Sequence, residues 1–404
     1  MSTTQDARKK FTKAAAQENL YAVNVANVIC EVDTDKTGTV YNPFTSRPTA
    51  INGTAAATTT YTAGSYTADA DSLQVNRRAG AAEHVDSYDW KSVDFGLLED
   101  RGKNMGQTIS QVIDGYILNL PVSTSGVSTL GDAGVAGAAT PWTSSNSVID
   151  DIINTCIQEL DLANSGAKRF MVVSAYEAND LRGYLQTTGN MVGDEVIRAG
   201  IPSQVTKIGT TFSGVDVFQS NNITQEVVLG LATNPTDGDT VTIGNVEITF
   251  VDALTGASAE VHICGTVDAT AAELAEFLNA PGTSVAEGTN AGISAATGED
   301  LATLTRLDIS ATASAGDDEV TITTKGTVKV AETLTDGTDT FGTPYRFLVF
   351  GDYGSINLYL PSAGMDYHEK EVSGKPGVEL YMEQFYNGVI WTRMKDRVLA
   401  VKVN

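Results

Sequence analysis

FGLLEDRGKNMGQTISQVIDGYILNL, residues Phe95 to Leu120, is the stretch that decides the architecture. Met105, Ile109, Val112, Ile113, Tyr116 and Leu120 recur at three- and four-residue steps, which lines them along one face of a helix. Pro121 has no N–H to continue the ladder, so the helix is expected to stop at Leu120. Glycines at 96, 102, 106 and 115 count against continuity, each costing about 1 kcal/mol relative to alanine inside a helix.

On the C-terminal side a second helix is expected from a cap at Asn146 or Ser147 through Ile149, Ile152, Ile153, Cys156, Ile157 and Leu160 to a stop near Gly166. An apolar strand, Phe170 to Val173, leads into a third helix from Ala175 to Leu185. Near the C-terminus, Arg346 to Phe350, Ser355 to Leu360, Val378 to Tyr386, Val389 to Arg393 and Val398 to Val403 read as strands. Helices and strands mixed in this way define an α+β chain.

On the N-terminal side, Glu31 to Trp90 is long, polar and rich in Thr, Ala and Gly. Val40, Tyr41, Tyr61, Tyr66, Leu73 and Val75 are too sparse there to build a core, so the stretch is expected to lie against a partner. Ahead of it, Ala7 to Val28 reads either as an amphipathic helix, with Phe11, Ala15, Tyr21, Val25 and Val28 on one side, or as a solvated basic end.

Charge marks a further unit. Of the net −24 on 404 residues, Gln225 to Phe341 carries 19 acids against three bases, Arg306, Lys325 and Lys329. Its texture also changes, to short alternating strands such as Thr240 to Phe250, Ala259 to Cys264 and Glu319 to Thr324, with turns at Asp237-Gly238 and Asp336-Gly337 and one short helix from Ala269 to Asn279. This is an inserted acidic β-rich domain. The overall acidity disfavours tight nucleic-acid binding. Cys30, Cys156 and Cys264 are too few and too scattered for a disulfide framework, and read as buried thiols of a reducing compartment. No signal-peptide pattern and no apolar run of about 20 residues is present, so a cytoplasmic origin is expected.

The strongest chemical motif is Asp33-Thr34-Asp35-Lys36-Thr37-Gly38-Thr39. It resembles the nucleophile loop of haloacid-dehalogenase-type Mg²⁺-dependent phosphotransferases, in which Asp33 or Asp35 would attack a phosphoryl group with Ser174 and Asp352 in support. No second acid follows Asp352, where Ile356 and Asn357 stand, and no helix pattern follows the loop, so a strand with an Asp/Gly turn is preferred. His84, His262 and His368 have no helical metal spacing, no cysteine pair has zinc-site spacing, and no glycine loop fits a nucleotide. Asp237, Asp239, Asp317 and Asp318 lack the full calcium-loop pattern. No catalytic, cofactor-binding or metal residue is therefore assigned.

The order of elements resembles the major capsid proteins of tailed bacteriophages, the Hong Kong 97 type. Three segments carry the likeness: Ile201-Pro202 through Gly214-Val215-Asp216-Val217-Phe218 to Ser220-Asn221-Asn222; Arg169 to Leu185; and Tyr345 to Tyr359 with Tyr386 to Val403. The opening Asp237-Gly238-Asp239-Thr240-Val241-Thr242-Ile243 is similar to accessory modules of phage structural proteins. The resemblance implies an N-terminal arm over 1–30, an extended loop over 31–90, a peripheral domain with a long spine helix over 91–145 and an axial domain over 146–224. The insertion over 225–341 would precede a return through the axial domain and closing peripheral strands over 342–404. It further implies a non-enzymatic subunit that self-assembles as pentamers and hexamers into an icosahedral shell around double-stranded DNA, in the virion, after assembly in a host cytoplasm. The implied partners are a separate scaffolding protein, a portal and decoration proteins, with weak contact to the packaged DNA and none to membrane. An acidic secreted β-protein such as an adhesin or surface-layer subunit is a third class, disfavoured by the missing signal peptide.

Overall fold

In the computed structural model the periodic stretch forms one uninterrupted helix, Phe95–Ser123, called the spine helix below. The structure describes residues 24–45, 68–86, 95–131, 146–163, 168–187, 206–210, 214–288, 291–314, 318–362, 365–371 and 377–403, with residues 13, 14, 16, 165, 166 and 316 besides. Met105, Ile109, Ile113, Ile117, Leu118 and Leu120 are buried along the helix, each such aliphatic side chain contributing about 1.5–3 kcal/mol through burial. Pro121 lies inside the last turn and does not end the helix at Leu120. A proline there removes one hydrogen bond only, and the Ser123 hydroxyl donates to Asn119 O at 3.1 Å while Thr124 N–H donates to Leu120 O at 2.9 Å. Two of the glycines that count against the helix are sites of close approach. A side chain at Gly106 would collide with the backbone of Ala16, and one at Gly115 would sit 3.0 Å from Lys325 O. Their helix cost is the condition for packing the arm and the insertion on the spine.

The spine helix packs on a sheet ordered Glu31–Asp33, Asn357–Tyr359, Gly377–Val389, Met365–Glu371, with Arg77–Asp86 also paired to the long strand Gly377–Val389. Two expectations fail here. Val389 to Arg393 is not a strand: the long strand ends at Val389 and Thr392–Arg397 winds into a 3-10 turn. Met365–Glu371, with its alternation of Met, Tyr and charged residues, is a strand that went unassigned.

A second, ten-stranded sheet joins strands of the parent chain to Gln225–Gly230, Ser310–Ser314, Glu319–Thr324 and Thr340–Phe341 of the insertion. Strand Tyr345–Asp352 is its hub. Val398–Val403 pairs along one side of it, while Gln225–Gly230 pairs with its start and Arg169–Val173 with its end on the other. Arg169–Val173 is followed by helix Ala175–Thr187, and helix Asn146–Leu162 buries Ile149, Ile152, Ile153, Cys156 and Leu160 in the same core as the spine helix.

The insertion has its own core, in which Val227, Leu229, Ile243, Phe250, Leu274, Phe277 and Ile322 take part, separate from that of the parent. Thr240 to Phe250 is a hairpin, Thr240–Ile243 and Val246–Val251, turning at Gly244 with φ +65°. The expected helix runs Val267–Asn279, N-capped by the Thr266 hydroxyl, which accepts from Ala269 N–H at 3.3 Å. A second helix, Gly298–Leu307, was not expected; its apolar face is Leu301, Leu304 and Leu307, three residues at three-residue steps in a short segment.

Candidate functional site: assembly surfaces

The polar stretch resolves into parts with different fates. Its ends, Glu31–Asp33 and Arg77–Asp86, are strands of the chain's own sheet. Between them Gly38–Thr45 pairs with Ala68–Val75, from Gly38↔Val75 to Thr45↔Ala68, as a two-stranded sheet that pairs with nothing else among the described residues. Contrary to the reading that its apolar residues build no core, Val40 and Val75 are buried with Tyr359 and Trp391, and Leu73 packs against them. Asp71 fastens the base further, accepting from Thr392 N–H at 3.1 Å and its hydroxyl at 3.0 Å. Tyr41, by contrast, is 67% exposed. The hairpin's remaining segment, 46–67, Tyr61 and Tyr66 included, lies outside the described residues, as does most of the helix expected over Ala7 to Val28, of which Ala26–Ile29 is helical.

The arm is tied in by a buried carboxylate. Asp114 of the spine helix accepts from Ala26 N–H at 2.9 Å, the Ser220 hydroxyl at 2.9 Å and the Asn222 amide at 3.1 Å. Burial pushes its carboxyl above the ordinary range even though these donors act in the opposite direction. A second buried acid, Glu177, forms a capping box with Ser174: its carboxylate accepts from Ser174 N–H at 3.1 Å and from the hydroxyl, while Tyr176 N–H donates to Ser174 Oγ at 3.1 Å. Arg346 closes an ion pair on Glu177 and stacks over Tyr176 at 4.9 Å. Ser-x-x-Glu ahead of a helix is a signal that the sequence carried and that was passed over.

The insertion's few bases are clustered. All three of its bases lie at the junction with the parent. Arg306 and Lys325 line a 260 Å³ cavity beside Gln111 of the spine helix and Asn222, and Lys329 lines a 640 Å³ cleft with Tyr176 and Arg346. The acidic turns are closed by their own donors: Asp239 accepts from Thr236 N–H at 2.7 Å, Thr335 N–H at 3.1 Å and the Thr335 hydroxyl at 2.7 Å. Desolvation raises the Asp239 carboxyl, but these hydrogen bonds outweigh it and hold the group below the usual range.

The phosphotransferase constellation is not brought together. Asp33 ends its strand in a turn, accepting from Asp35 N–H at 3.0 Å and Lys36 N–H at 3.2 Å and pairing with the Lys36 ammonium at 3.2 Å. Ser174 follows Val173, whereas Asp352 pairs antiparallel with Arg169 at the other end of the same strand. Five residues of strand put them about 15 Å apart. Asp352 is itself engaged by Gly166 N–H at 2.6 Å. All three cysteines are free: Cys156 and Cys264 are buried, Cys30 is half-buried, and desolvation raises all three thiols, Cys156 to about 12.

Of the histidines, His262 is buried against Cys264, with Nδ1 3.9 Å from Sγ, and His84 is exposed. His368 is exposed and clusters with Asp366 and Glu383. Helical spacing could not find that cluster, because its residues are set by the two-residue period of a strand and its cross-strand neighbour.

Among solved structures, the chain is similar to subunits from the shells of phages and a virus-like particle. With the capsid of Ralstonia phage GP4 it shares 9% identity at a TM-score of 0.46, covering 93% of this chain and 86% of that one. With a structure of Mycobacterium phage Che8 the values are 14% and 0.45, covering 91% and 85%, and with a virus-like particle from Pyrococcus furiosus 6% and 0.42, covering 96% and 97%. No family model matches the sequence, and no curated protein matches it.

Proposed function

We propose that this chain is the shell subunit of a tailed-phage capsid, assembling as pentamers and hexamers into an icosahedral shell around double-stranded DNA. Its chemistry is that of binding surfaces. The observation that carries the reading is the hairpin Gly38–Thr45/Ala68–Val75, fixed at its base by Val40, Val75, Tyr359 and Trp391 yet, among the described residues, paired only with itself. An isolated two-stranded ribbon is marginal in water. A neighbouring copy that accepts it supplies the missing burial, and closed symmetry repeats that contact around the shell. The insertion, with 19 acids against three bases that all lie at the junction with the parent, suits the outer surface, since packaged DNA repels it. A separate scaffolding protein, a portal and decoration proteins complete the proposed set of partners, and the host cytoplasm is the proposed place of assembly.

The test is to replace 46–67 by an Asn-Gly turn, which fits the terminal pair Thr45↔Ala68. The expected result is a folded subunit that forms no shells when expressed with its scaffolding partner. Shells of normal size and yield in electron micrographs would overturn the assignment of the hairpin as the assembly element.

A further inference from the structure

The solvent face of the sheet under the spine helix carries a cluster of two acids and a histidine. Strand Met365–Glu371 runs antiparallel to Gly377–Val389 with Asp366 directly opposite Glu383. His368 is two residues further on, and therefore on the same face. A carboxylate oxygen of each acid and a ring nitrogen of His368 all lie within 4.8 Å of one another.

Two carboxylates set directly opposite each other across an antiparallel pair destabilise it unless a cation lies between or beside them. The cations among the described residues do this poorly. Arg78 reaches Glu383 only at 3.8 Å, with its side chain 64% exposed and its guanidinium over Phe385 at 4.9 Å. Lys370 stands opposite Glu379, further along the strand, and the Lys13 ammonium is engaged by the carbonyl of Met365. On the far side of the long strand Glu383 faces Gly80, so no side chain from Arg77–Asp86 closes over the cluster at that register.

Ligand type then selects the ion. A purely oxygen-lined cluster would suit Ca²⁺ or Mg²⁺, whereas an imidazole nitrogen with two carboxylates suits a borderline first-row ion. All three ligands stand on two hydrogen-bonded strands, which holds them before any ion arrives. The geometry points to a divalent transition-metal site of the zinc class, held by Asp366, His368 and Glu383, with its remaining coordination positions open to water.

The full-length chain, stripped with a chelator, is titrated with Zn²⁺ by calorimetry and with Co²⁺ by visible absorption. The expected result is saturable binding of one ion per chain, with Co²⁺ ligand-field bands. His368→Ala and Glu383→Gln should each weaken affinity by at least about tenfold, a loss seen even for groups that only support a ligand. His84→Ala, an exposed histidine on the neighbouring strand, should leave affinity and stoichiometry unchanged. Circular dichroism on each variant confirms that the fold is retained, as solvent-facing positions allow. Absence of saturable binding by the parent protein, or undiminished binding by folded His368→Ala and Glu383→Gln, would overturn the site.

Discussion

The carboxylate of Asp114 and the hydroxyl of Ser220 meet at 2.9 Å inside the core, and both residues are buried. Asp114 belongs to the spine helix and Ser220 to the chain leaving strand Val215–Gln219, five residues before the insertion's first strand begins at Gln225. Because Ala26 N–H donates to the same carboxylate, one side chain joins the arm, the spine and the neck of the insertion.

Asp114→Ala should therefore cost about 3 kcal/mol, since it leaves buried donors unpaired. Asp114→Asn retains an acceptor and should cost less. The pH dependence separates them. Burial raises the folded carboxyl above its ordinary value of 3.8, so the folded chain holds the proton more tightly than the unfolded one. The group's contribution is full below 3.8 and declines as pH rises through the folded value. Urea unfolding of the parent should show that decline, and the Asn variant should lack it.

The Glu177–Arg346 pair gives a different pattern, because here both partners are charged and Glu177 is fully buried. Arg346→Met alone should cost about 3–5 kcal/mol by stranding the carboxylate. Adding Glu177→Gln should recover most of the loss while keeping the acceptor for Ser174 N–H. A double-mutant cycle by denaturant unfolding measures the coupling, and additive losses would contradict it.

Legibility followed period and composition. The spine helix and strand Glu319–Thr324 were readable because their apolar residues repeat at the spacing of the element they form, and Arg169–Val173 and Val398–Val403 because they are short, nearly continuous apolar runs. The acidic insertion was visible as a change in charge density. What escaped depends on contacts remote in sequence: Gly106 reads as a helix cost until Ala16 is laid against it, and Val40 reads as stray until Trp391 reaches it. Asp366 and His368 sit on a strand whose charged alternation hid it, and Glu383 joins them only through cross-strand register.

Asp33 is a turn acceptor, and its substitution should behave accordingly. Asp33→Ala should cost about 1 kcal/mol, as loss of a comparable cap does, because Asp35 and Lys36 lose their acceptor. Asp35→Asn should be neutral. Neither should alter phosphatase turnover, which is expected at background for the parent; a Mg²⁺-dependent activity lost in either variant would restore the phosphotransferase reading.

The insertion's separability can be stated more sharply from the sheet than from the sequence. Phe347 N–H donates to Thr224 O at 2.9 Å, and Tyr345 stands opposite Glu226, so the chain leaves and returns on adjacent antiparallel strands. A cut at the compositional boundary, Thr224 joined to Gly342, would leave 342–346 unpaired on that side and out of register. Retaining Gln225-Glu226 and Tyr345-Arg346 is preferable, because Arg346 neutralises Glu177 and Lys402 reaches Glu226 at 2.8 Å. Replacing 227–344 by an Asn-Gly turn between Glu226 and Tyr345 meets the geometry of a two-residue hairpin and removes 18 acids and three bases. The core containing Ile113, Phe170, Val349 and Leu399 lies wholly outside the excised segment, so the trimmed subunit should unfold in one cooperative transition. Residues 225–345 alone should also fold, since their core is self-contained. Expressed with its scaffolding partner, the trimmed chain should form shells that are thinner on the outer surface and less soluble, having lost surface repulsion. Folded subunits that never close into shells would make the insertion an assembly element, and thinning on the inner surface would place it on the opposite side of the shell.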